Sequence, residues 1–85
     1  MAKQLRYQDA SGVVRIFKPG VIVKTWDNDT QQWFYGRVEA VTSSPLGVDV
    51  NWLGDVYEAG IPPEVIEVVP GRIGKVMYRI LSRES

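Results

Sequence analysis

The chain breaks into short β-prone runs, each closed off by turn-forming residues, and no stretch sustains a helical period over a dozen positions. That spacing constrains the fold most, because brief strands at close intervals favour a small all-β barrel. Val21–Trp26 is rich in β-branched residues and follows the turn signal Pro19-Gly20. Asp27-Asn28-Asp29-Thr30 then forms a polar loop, since Asn and Asp close turns through their own side chains. Trp33–Thr42 is the next strand, with Phe34, Gly36, Val38 and Ala40 on one face and Tyr35, Arg37, Glu39 and Val41 on the other. A glycine inside such a run, Gly36, marks strong bending or a close approach of backbone.

Ser43–Gly47 reads as a loop, and Val48–Leu53 sets Val48, Val50 and Trp52 against Asp49, Asn51 and Leu53. Gly54-Asp55 makes a tight turn into Val56–Ile61. Pro62-Pro63-Glu64 starts a short helical turn, because proline fits the first helical position and glutamate suits the N-terminal end. Val65–Val69 closes the set. The flanks add β-prone sequence. Gln4–Tyr7 and Val13–Phe17 surround Asp9-Ala10-Ser11-Gly12, a hairpin turn. Past Pro70-Gly71, Gly74–Leu81 alternates Val76, Tyr78 and Ile80 against Met77, Arg79 and Leu81, which predicts a last strand. At 85 residues this is one domain, with a barrel core over about residues 18–70, an N-terminal hairpin over 1–17 and a C-terminal strand over 71–85.

The residue types present exclude several chemistries. With no cysteine and no histidine, disulfides, Cys- or His-built zinc sites and Ser-His-Asp or Cys-His catalysis are all out of reach. No pair of carboxylates stands out in an enclosed setting, so the expectation is a protein that is not an enzyme and carries no cofactor. No apolar run reaches membrane-spanning length and no signal peptide is visible, so an intracellular protein with no membrane partner is expected. The formal net charge is zero but uneven. Residues 1–24 carry Lys3, Arg6, Arg15, Lys18 and Lys24 against Asp9, and residues 70–85 carry Arg72, Lys75, Arg79 and Arg83 against Glu84. Between them only Arg37 opposes Asp27, Asp29, Glu39, Asp49, Asp55, Glu58, Glu64 and Glu67. An acidic middle attracts cations and repels phosphates.

Against that middle stand six aromatic rings at strand ends: Trp26, Trp33, Phe34, Tyr35, Trp52 and Tyr57. Ring faces are electron-rich, so these clustered rings with the carboxylates Asp27, Asp29, Asp55 and Glu58 beside them make a pocket for a cation. Trp33, Phe34 and Tyr35 cannot all point inward, because side chains alternate along a strand. Trp26 and Trp52 also suit a second role, capping the core.

The stretch Gly20–Val69 resembles a Tudor domain of the SH3-like small-barrel group. The likeness rests on Val21-Ile22-Val23-Lys24-Thr25-Trp26, Asp27-Asn28-Asp29 and Trp33-Phe34-Tyr35-Gly36-Arg37-Val38. It continues through Val48-Asp49-Val50-Asn51-Trp52, Gly54-Asp55, Tyr57 and Pro62-Pro63-Glu64-Val65-Ile66. The resemblance implies a five-stranded barrel with a cage walled by Trp26, Phe34 or Tyr35, Trp52 and Tyr57, with Asp55 facing the ammonium group. It implies a binding module for a peptide with basic or methylated lysine or arginine residues. The loop Asp27–Gln32 is longer than the family's usual one, and both flanks exceed a minimal Tudor domain.

Two other functions fit the same residues. An assembly protein would use its β-rich basic ends and exposed rings to dock onto copies of itself or a larger complex. A nucleic-acid binder would need the two basic ends to meet, and the acidic middle disfavours it.

Overall fold

The computed structural model describes residues 4–53 and 56–84, the last three of these by backbone alone. Two sheets form. A hairpin pairs β1 (Leu5–Gln8) with β2 (Val14–Phe17), Leu5 opposite Phe17. Its turn is closed as the composition requires: the Asp9 carboxylate accepts from the Ser11 amide at 2.9 Å, the Ser11 hydroxyl at 2.6 Å and the Val13 amide at 3.0 Å. Arg15 pairs with the same carboxylate at 3.2 Å.

The second sheet has five antiparallel strands: β3 (Ile22–Asp27), β4 (Gln32–Ser43), β5 (Leu46–Trp52), β6 (Val56–Ile61) and β7 (Glu67–Val68). Their order is β6-β5-β4-β3-β7. β6 and β7 are therefore its two edges, and the sheet is not closed into a barrel. A single helical turn, Pro63–Val65, bridges the edges, with a proline at its start. The loop between β3 and β4 is held by Asp27, whose carboxylate accepts from the Thr30 amide at 3.1 Å and hydroxyl at 2.5 Å.

The core lies on the inner face of the large sheet: Val23, Val38, Val41, Val48, Val50, Trp52, Ile61 and Ile66. Leu5 and Phe17 join it, so the hairpin is seated on this face as a lid rather than added to the ladder. Val41 is buried, contrary to the strict alternation expected of β4. The register explains it. Val38 opposes Val50 but Ala40 opposes Asp49, leaving Glu39 as an extra residue in a bulge that exchanges the two faces beyond it. The expected close approach at Gly36 is present. A Cβ there would lie 2.6 Å from Val50 Cγ1 and 2.7 Å from Trp52 Cε3.

The C-terminal strand expected over Gly74–Leu81 is corrected by the structure: Gly71–Glu84 is a helix, α1. Its apolar positions satisfy both periods. Val76, Tyr78 and Ile80 alternate as in a strand, while Ile73, Val76, Met77, Ile80 and Leu81 also fall at helical spacing. Arg, Lys, Met and Leu favour the helix. α1 covers part of the outer sheet face. Gly74 allows its backbone to approach Ile22, since a Cβ there would stand 3.2 Å from Ile22 Cβ. The Arg37 guanidinium lies 6.0 Å from the Tyr78 ring centroid.

Candidate functional site

Strand pairing decides where each ring points, because residues directly opposite each other share a face. Thr25 opposes Phe34, and Gly36 opposes Trp52, both on the inner face. Trp26 opposes Trp33, Lys24 opposes Tyr35, and Tyr57 opposes Asn51, all on the outer face. The rings proposed as one cage are thus divided between two surfaces.

On the inner face, Phe34 and Trp52 line one cleft with Thr25, Leu53, Val56 and Glu58, of about 230 Å³. Gly36 makes it possible, since any side chain there would occupy the place of the Trp52 ring. Trp52 is 8% exposed and forms the floor, while Phe34 is 41% exposed and forms a wall. The Trp52 indole N–H donates to Glu58 Oε1 at 3.0 Å, which fixes both the ring plane and one carboxylate oxygen. The Thr25 hydroxyl donates to the Val65 carbonyl at 3.0 Å, tying the cleft to the bridging turn. An apolar hollow lined by two aromatic rings and one oriented carboxylate suits a side chain with an apolar stem and a cationic head.

The outer face carries a separate cluster. Trp26 and Trp33 meet edge to face, centroids 5.3 Å apart at 71°. The Lys24 ammonium already sits 4.3 Å from the Trp33 centroid, so this ring holds a cation of the chain itself. The Trp26 indole donates to Asn28 Oδ1 at 3.1 Å. Tyr35 is half-buried on this same face, one pair further along. Tyr57 is exposed and its hydroxyl donates to Asp49 Oδ2 at 3.3 Å. Desolvation of that phenol, together with the negative charge of Asp49, raises its pKa above the ordinary tyrosine value.

Of the sequence-predicted site residues, then, Phe34 and Trp52 come together. Trp26, Tyr35 and Tyr57 face the other way, and Asp55 lies outside the described residues. Glu58 takes up the position beside the rings, and Thr25, Leu53 and Val56 were not anticipated as lining. Thr25 was the findable one: in a β3–β4 hairpin it falls opposite Phe34 if Trp26 is set against Trp33. Among the described residues no group of three carboxylates is placed to hold a metal ion. Of the basic residues in the two end segments, one from each shares a cavity. Lys18 and Lys75 line one cavity of about 330 Å³ between the β2–β3 connection and α1. Set beside known proteins, the chain matches no family model, no curated protein and no solved structure.

Proposed function

We propose that this chain is a non-catalytic binding module whose Phe34–Trp52 cleft grips one basic side chain of a peptide, in the manner of a reduced Tudor cage on an opened SH3-like barrel. The observation that carries this is that the Phe34 and Trp52 rings and the Glu58 carboxylate line one small apolar hollow. The ring faces and the carboxylate attract the cation, while the walls exclude water from its stem. Methylation of a lysine keeps the charge and weakens its hydration, so the methylated form fits such walls best. The surrounding acidic segment, from Asp27 to Glu67, adds long-range attraction for a basic partner.

Two rings at about 0.5–2 kcal/mol each supply at most about 4 kcal/mol, which sets a weak affinity, with a Kd on the order of 1 mM or above for a single side chain. The test is a titration with a trimethyllysine peptide followed by tryptophan fluorescence, beside the same peptide with glutamine at that position. Saturable change with the trimethyllysine peptide, lost in Phe34→Ala, supports the reading. An unchanged signal to several times that Kd removes it.

A further inference from the structure

Helix α1 packs edge-on against the body, and most of its apolar arc faces water. Gly71, Gly74 and Tyr78 look toward β3 and β4, with Gly74 against Ile22 and Tyr78 against Arg37. On the far side Ile73 is 68% exposed, Val76 47% and Ile80 49%. These three fall at i, i+3 and i+7 and form one continuous outward stripe about 10 Å long. Arg72, Lys75 and Arg79 form a second stripe along one flank of it. Lys18 extends that flank from the body, since it lines the same cavity as Lys75. Arg72, Lys75 and Lys18 make no ion pair among the described residues.

We infer that α1 is an interfacial helix that docks this chain onto an anionic phospholipid surface. The stripe enters the boundary of the acyl region while Arg72, Lys75, Arg79 and Lys18 meet lipid phosphates and serine headgroups. A short amphipathic helix with a basic polar side and low overall hydrophobicity has the composition for lying in that plane. Such a helix does not span: no described helix is long and apolar enough to cross a membrane. The charges also select the occupant. In an antiparallel self-pair, like flanks meet, which would set Arg72, Lys75 and Arg79 of one copy against the same residues of the other. An anionic surface neutralises the same row. The expectation of no membrane partner rested on the lack of a span-length apolar run, and a helix that lies in the interface needs none.

The experiment is vesicle flotation of the full chain, with phosphatidylcholine vesicles beside vesicles of phosphatidylserine and phosphatidylcholine in equal parts. The expected result is at least about tenfold more protein on the anionic vesicles at low salt, weakening as salt rises. Ile73→Gln with Ile80→Gln should lower that binding about tenfold through lost apolar contact. Arg72→Glu with Lys75→Glu should abolish the preference for anionic vesicles. Far-ultraviolet circular dichroism of each variant checks that the helix persists, and Val76→Ser serves as a milder substitution if the double variant unfolds. Absence of the chain from both vesicle types overturns the proposal. So does anionic binding that survives the stripe substitutions, or a dimer in light scattering that Ile80→Gln dissolves.

Discussion

The Trp52 indole N–H reaches diagonally across the β5–β6 ladder to Glu58 Oε1 at 3.0 Å, so the least exposed tryptophan is locked to a carboxylate at the sheet edge. The bond joins a core residue to the rim of the candidate cleft. Trp52→Phe keeps most of the ring and removes the donor. The expected loss is about 0.5–1.5 kcal/mol in urea unfolding, with weaker peptide binding because Glu58 is no longer oriented. Trp52→Ala, which empties the cleft floor, should cost about 3–5 kcal/mol.

Gly36→Ala tests the packing beneath the same ring. Its new methyl would stand 2.6 Å from Val50 Cγ1 and 2.7 Å from Trp52 Cε3, both fixed core atoms. We expect a loss of about 1–3 kcal/mol from overpacking. For a domain of this size each kcal/mol lowers Tm by about 4–8 °C, readable by thermal circular dichroism. An unchanged Tm would mean that Trp52 moves aside freely.

Acid should loosen the turns before the core. The hydrogen bond from the Ser11 hydroxyl holds the Asp9 carboxyl below its ordinary range, aided by backbone donors and Arg15. The Thr30 hydroxyl does the same for Asp27. A folded-state pKa below the unfolded one stabilises the protein above the unfolded value, and that stabilisation is lost as pH falls through the folded value. The denaturation midpoint should thus be flat near neutrality and decline below about pH 4. In a D9N, D27N double variant the decline should be shallower.

Alkaline titration of phenolate absorbance should resolve Tyr57 as a late-titrating group. Its neutral form is favoured by desolvation and by Asp49, so D49N should bring its midpoint back toward the ordinary tyrosine value. Because the folded pKa is the higher, the related stabilisation is complete at neutral pH and is lost only as pH rises through that value.

The β elements were legible because each carried its own local punctuation. Asp9 to Gly12, Pro19-Gly20, the Asp27–Thr30 loop and Pro62-Pro63 all turn the chain where composition placed them. The helix was not legible as such. Residues 71–84 satisfy two periods at once, and the packing of Gly74 against Ile22 that goes with the helix is a tertiary contact no local pattern displays. The division of the rings was hidden for a related reason. Clustering in sequence places Trp33, Phe34 and Tyr35 side by side, whereas facing is set by cross-strand pairing, which sends Phe34 to Trp52 and Trp33 to Trp26. Glu58 stands with Asp27, Asp29 and Asp55 among the carboxylates near the rings in sequence, and the β5–β6 register is what singles it out as the partner of Trp52.

The bulge at Glu39 works as a parity switch. Upstream of it β4 contributes Gly36 and Val38 to the interior, and downstream Val41 takes over that duty. Excising this one amino acid would let Ala40 follow Val38 directly, so plain alternation would still set Ala40 against Asp49 and Val41 against Val48. The aromatic end of β4, being on the near side of the switch, would keep its orientation. A lone deletion at Glu39 would therefore remove the bend and leave both halves correctly phased.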